Sequence, residues 1–181
     1  MVEKFVNNYF KKLNLINSKL PTTNFELFID LLKKIKKNNK KVVFAGNGGS
    51  AAMASHVSVD FSKVCKIRSI NFNEADLITC YANDYGYNNW ITEALKSHAD
   101  KGDLVVLISS SGKSENIVNA AKYCNKKKIK LVTFSGFKKN NPLKKLGKLN
   151  FWVNSREYNI VEMTHHVWIL MAVDFLSNKN V

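Results

Sequence analysis

Phe44-Ala45-Gly46-Asn47-Gly48-Gly49-Ser50 follows the short apolar run from Lys41 to Ala45 and leads directly into a helical pattern. A strand that empties into glycines and then a helix makes an anion site. Glycine permits positive φ and close backbone approach, and the N–H groups opening the helix face whatever binds there. The guest this arrangement suits best is a phosphate. A second version lies downstream, where Leu104-Val105-Val106-Leu107-Ile108 reads as a buried strand and runs into Ser109-Ser110-Ser111-Gly112-Lys113-Ser114. Four hydroxyls at a helix mouth can grip a phosphate without an arginine.

Outward from these loops, apolar strands are expected at about 41–46, 103–109, 129–135 and 149–153, with a weaker one near Ile67 to Phe72. Between them fall helical patterns near 50–63, 75–82, 88–98, 114–126 and 158–177. Alternating strands and helices imply a parallel sheet covered on both faces, with ligands at the carboxyl ends of the strands. Both loops sit at such ends.

Ahead of this alternation, Phe5, Val6, Tyr9, Phe10, Leu13 and Ile16 are spaced for one amphipathic helix over 3–19, which Pro21 ends. Phe25, Leu27, Phe28, Leu31, Leu32 and Ile35 are spaced for a second, capped by Thr23 or Asn24. Residues 1–38 are therefore expected to bury their stripes against a neighbouring subunit. Asn140 to Lys148 is expected to be a mobile basic loop. No linker divides the chain, so residues 1–181 are taken as a single domain.

At 181 residues and 45% apolar content the chain can bury one sizeable core. No stretch reaches the roughly 18 uninterrupted apolar residues of a membrane span, and Met1-Val2-Glu3-Lys4-Phe5 lacks the apolar region of a signal peptide, so a cytoplasmic protein is expected. Cys65, Cys80 and Cys124 have no pairing or zinc-ribbon spacing and read as buried or semi-buried free thiols.

The formal charge is +14, yet Arg68 and Arg156 are the only arginines among 28 basic residues. Arginine is the side chain that reads guanine and grips phosphate bidentately, so a nearly all-lysine surface is a poor nucleic-acid reader. The excess instead draws small anions such as sugar phosphates.

Gly46-Asn47-Gly48-Gly49-Ser50-Ala51-Ala52 with His56 after it, Asn83-Asp84-Tyr85-Gly86, Ile108 to Ser114, and Ile160-Val161-Glu162 together resemble the sugar isomerase (SIS) domain of the phosphoheptose isomerases. The resemblance runs from the first helix almost to the C-terminus. It implies a flavodoxin-like, doubly wound parallel sheet, a homotetramer with active sites between subunits, and conversion of sedoheptulose 7-phosphate to a heptose 7-phosphate for lipopolysaccharide. Ser109, Ser110, Ser111 and Ser114 would hold the phosphate. Asn47, Gly48, Gly49, Ser50, Asn83 and Asp84 would contact the sugar.

In that family a histidine and a glutamate four residues later hold zinc with a glutamine and a histidine eight apart on the final helix. His56 matches, but Asp60 stands for the glutamate, shorter by one carbon–carbon bond of about 1.5 Å. Val161 and Ile169 stand at the other two positions. His56 and Asp60, an i, i+4 pair on one helix face, remain the candidate zinc ligands. His165 lies midway between 161 and 169, and it is expected to face the sugar as a catalytic group beside Glu162 and Asp60, with His166 in a structural role. The alternative to an isomerase is a non-catalytic SIS module that binds a phosphosugar or a protein such as a replication initiator.

Overall fold

The computed structural model describes residues 1–178. Residues 179–181, the end of the expected domain, lie outside them. Five strands form one parallel sheet: β1 (Val42–Ala45), β2 (Ser69–Asn71), β3 (Leu104–Ser109), β4 (Lys130–Ser135) and β5 (Leu149–Trp152). Their order is β2-β1-β3-β4-β5, the flavodoxin-like arrangement. Val43 pairs with Ile70 on one side and Val105 on the other, so the weakly signalled strand near Ile67 is real and forms an edge.

Among the described residues eight helices accompany them: α1 (Val2–Asn17), α2 (Thr22–Lys37), α3 (Gly49–Lys63), α4 (Ala75–Tyr85), α5 (Trp90–His98), α6 (Glu115–Lys126), α7 (Pro142–Leu146) and α8 (Tyr158–Leu176). The period-two alternation of each strand divides the core into two layers. Phe44, Val106, Ile108, Phe134 and Phe151 face α2, α3 and α8. Val43, Ala45, Val105, Leu107 and Leu131 face α5, α6 and α7.

Three expectations about the chain ends and connections are corrected. The second N-terminal helix needs no partner subunit, because Phe28, Ile29, Leu32 and Ile35 are buried in this chain's own core. Its N-cap is Pro21, and Asn24 instead donates to the Asn150 carbonyl at 2.9 Å. The 140–148 segment holds α7, which begins where the Asn141 side chain accepts from the Lys144 N–H at 2.8 Å and Pro142 fills the first helical turn. Of the two N-terminal helices, α1 has no buried residue; it leans on α8 through the bond from Trp168 Nε1 to the Asn17 carbonyl at 3.1 Å. Of the cysteines, Cys65 and Cys124 are buried and Cys80 is exposed.

Candidate active site

The sheet order reverses between β1 and β3, and at that switch point the carboxyl ends of two strands open a crevice. Both loops singled out in the sequence empty into it. After Ala45 the turn closes tightly: a β-carbon at Gly46 would stand 2.7 Å from the Ser50 backbone. Gly48 takes φ +53°, which places Gly49 at the start of α3. On the other side β3 delivers Ser109 and Ser110, each 5% exposed, and Gly112 at φ +64° turns the chain toward α6.

A cavity of about 110 Å³ lies between these loops, lined by Asn47 and Ser50 from the first and Ser109, Ser110, Ser111 and Ser114 from the second. Tyr158 and Glu162 of α8 close it. Larger grooves of about 400 and 760 Å³ exist near Arg68 and near Arg156, but neither gathers hydroxyls with a carboxylate. Ser114 occupies the N-cap position of α6 without making a side-chain capping bond. Its hydroxyl lies 3.2 Å from that of Ser109 instead, so the serines are not spent on capping. Lys113 is exposed and is not among the residues that line the cavity.

Glu162 is the carboxylate of this cavity. The Ser110 hydroxyl donates to its Oε1 at 3.4 Å, and the carboxylate covers the α-carbon of Gly49, where a β-carbon would lie 2.8 Å from Glu162 Cδ. The first residue of α3 is thus glycine because any side chain would expel Glu162. A helix N-terminus is also a favourable place for a negative charge.

The last helix is turned one residue from the expected register. His165 does not reach the cavity: it is fully buried, its ring edge-on to Phe134 at 5.6 Å, and its Nε2–H donates to the Ser135 carbonyl at 3.0 Å. Burial pushes its pKa down to about 4, against the opposing effect of that bond. Val161 and Ile169 share this fully buried face. The spacing argument correctly put 161, 165 and 169 on one face, but that face packs on the sheet. The α3 side of α8 carries Glu162 and His166.

His166 and His56 meet there, Nε2 to Nδ1 at 3.0 Å, while His56 Nε2 lies 3.3 Å from Asp60 Oδ2. With the carboxylate taking the Nε2–H of His56, its Nδ1 accepts from His166 Nε2–H. Burial lowers the His166 pKa, the neighbouring His56 lowers it further, and Asp60 opposes both. The expected positions of the two adjacent histidines are therefore exchanged: His165 lies in the core, and His166 joins the polar cluster.

The zinc set implied by the resemblance does not fit these residues. Two of its four positions are aliphatic side chains in the core, and both ring nitrogens of His56 are engaged by Asp60 and His166. Among the described residues no group of three or more histidine, cysteine, aspartate or glutamate side chains is arranged to hold a metal ion.

Asn83 and Asp84 form the last turn of α4, exposed and bonded to each other at 3.0 Å, and do not line the cavity of their own chain. Gly48 and Gly49 shape the cavity without being among the residues that line it. Tyr158 and Asn116 were missed in the sequence; the first opens the final helix and the second lies two residues past the serine loop.

A protein-family model described as the SIS domain matches residues 8–136, which include both loops. The phosphoheptose isomerase of Thermodesulfovibrio yellowstonii is 30% identical over 157 residues, covering 81% of this chain and 78% of its own. That of Buchnera aphidicola is 32% identical over 128 residues, and the matched stretch spans 68% of this chain and 66% of the relative's length. The solved phosphoheptose isomerase of Neisseria gonorrhoeae superposes with a TM-score of 0.87 at 20% identity, covering 97% of this chain and 99% of that one. The Vibrio vulnificus NanR protein, complexed with ManNAc-6P, gives a TM-score of 0.68 at 17% identity over 98% of this chain and 61% of that one. With the family model covering most of its length and both loops, the chain belongs to the SIS domain family.

Proposed function

We propose that this protein is an aldose–ketose isomerase that interconverts sedoheptulose 7-phosphate and a heptose 7-phosphate. The observation that carries this reading is the Glu162 carboxylate inside the same cavity as the four serines. The serine hydroxyls and the N-terminus of α6 hold the phosphate. Glu162 takes a proton from C1 of the ketose, and the C1–H electrons become the C1=C2 bond while those of the C2 carbonyl move onto its oxygen. The proton of the C1 hydroxyl passes to that oxygen, and return of a proton from Glu162 to C2 gives the aldose. General acid–base catalysis of this kind is worth about 10²–10⁴ in rate. The relatives named phosphoheptose isomerase support the choice of substrate.

A cavity of about 110 Å³ is smaller than a usual small-molecule site of about 300–1,000 Å³, so further walls are needed. A homotetramer supplies them from a second copy, and we assign that role to its exposed Asn83 and Asp84. Product heptose would serve lipopolysaccharide assembly in the cytoplasm.

The second reading, a phosphosugar-binding module without turnover, is favoured by the aliphatic residues at two family zinc positions, Val161 and Ile169. The experiment is to add sedoheptulose 7-phosphate to the purified protein, with and without a chelator, and follow the anomeric carbon by NMR. An aldose signal supports the isomerase. Phosphosugar binding with no aldose at high protein concentration overturns it in favour of the binding module.

A further inference from the structure

Asn47 has a carboxamide with two N–H donors and an oxygen that accepts two bonds, and the structure uses all but one of these. Its Nδ2 donates to Asn116 Oδ1 at 2.9 Å, and Asn116 Nδ2 donates back to Asn47 Oδ1 at 2.9 Å. The Tyr87 hydroxyl donates to the same Asn47 oxygen at 3.3 Å. One N–H of Asn47 is left, on a side chain that lines the cavity.

The orientation of this pair is set by the backbone. The Ile117 N–H donates to Asn116 Oδ1 at 2.9 Å, so that end of the Asn116 amide is the oxygen. Asn47 must then present nitrogen to it, and its own oxygen to Asn116 Nδ2 and Tyr87. Asn116 is 2% exposed, so a flipped amide would leave a buried donor facing a donor, which burial penalises.

We propose that Asn116, assisted by Tyr87, is a positioning residue that fixes Asn47 with its N–H toward the substrate, and that the group bound there is the carbonyl oxygen that becomes the enediolate oxygen. This rests on the isomerase reading. An N–H that cannot turn into an acceptor suits an oxygen without a proton, and its bond strengthens as negative charge develops on that oxygen. Across the cavity Glu162 removes the C1 proton, and the electron pair released arrives at the oxygen that Asn47 holds. Losing one preorganised donor to such an oxygen costs about 10²–10³ in rate.

The test is a double-mutant cycle with sedoheptulose 7-phosphate, measuring kcat and KM for Asn47→Ala, Asn116→Ala and the double variant. Asn116→Ala is expected to lower kcat by at least about tenfold with KM changed by less than about threefold, and the double variant to be no slower than Asn47→Ala. Losses that multiply, or an Asn116→Ala effect confined to KM, overturn the proposal. Because Asn116 is buried, Tyr87→Phe at an exposed position repeats the cycle without risk to folding. Its kcat is expected to fall a few-fold, and by nothing in the Asn47→Ala background. An equal loss in both backgrounds counts against the proposal. A wild-type protein that gives no aldose is failure of the isomerase reading itself, whereas wild-type turnover with independent variants is failure of this inference alone.

Discussion

The Glu162 carboxylate lies over the α-carbon of Gly49, so the first residue of α3 and the fifth of α8 occupy space that only one side chain can fill. The glycine of the first loop therefore makes room for this carboxylate. Gly49 has no positive φ, and what it supplies is room.

Gly49→Ala is expected to displace Glu162 and lower kcat by about 10²–10⁴, the range attached to a general base, with Glu162→Gln giving a similar loss. Alanine is well tolerated in the first turn of a helix, so the melting temperature of Gly49→Ala should move by only a few degrees. Steady-state kinetics beside a thermal melt checks this. Full activity in Gly49→Ala would show that the base is elsewhere.

Gly112 combines φ +64° with a neighbour that leaves no space: a β-carbon there would overlap the Asn141 side chain, lying 2.9 Å from its Cβ. Asn141 is 1% exposed, caps α7 and donates from Nδ2 to the Gly136 and Lys138 carbonyls at 3.1 and 2.9 Å, so it cannot move aside without losing bonds. Gly112→Ala should cost about 2–4 kcal/mol, measured by urea unfolding. Gly102, at φ +99°, would meet only the flexible end of Lys40, and Gly102→Ala should cost about 1–2 kcal/mol from backbone strain.

His165 gives the fold an acid sensitivity of definite sign. Its folded pKa of about 4 lies below the ordinary value of about 6.5, so the unfolded chain binds the proton more tightly. Its contribution is complete above pH 6.5, declines as pH falls between about 6.5 and 4, and is gone below that. At about 1.4 kcal/mol per unit the loss is on the order of 3 kcal/mol. His165→Leu should flatten the stability of the folded protein between pH 6.5 and 4 in urea titrations, with kcat near that of the wild type. A strong loss of kcat in a fully folded His165→Leu protein would restore the histidine to the active site.

The two loops and the sheet were legible because their signals are local. A strand followed by glycines or serines and a helix places its own backbone groups, and Gly46 to Ser50 and Ser109 to Ser114 needed nothing from elsewhere. Helix periodicity also identified the face shared by Val161, His165 and Ile169, but not which element that face would meet. A rotation of one residue, about 100° on a helix, exchanged His165 for His166. Asn116 was invisible for another reason. Its importance lies in the bond to Asn47, 69 residues away, and an asparagine in the first turn of a helix looks like ordinary polar surface.

The outer face of α8 carries Met163, Val167 and Met171 at 45, 39 and 42% exposure, spaced one turn apart, and Val59 on α3 is 57% exposed. In the proposed homotetramer this apolar stripe is covered by another copy, which also brings Asn83 and Asp84 to a neighbour's cavity. Val167→Glu places a charge at the centre of the stripe, where burial without a partner is costly. The variant should fold, since the position faces away from the core, and circular dichroism should match the wild type. Light scattering should then report a smaller particle and kinetics a raised KM or lost turnover. A wild type that is already monomeric and fully active would remove the shared-site proposal while leaving Glu162 and the serine cradle in place.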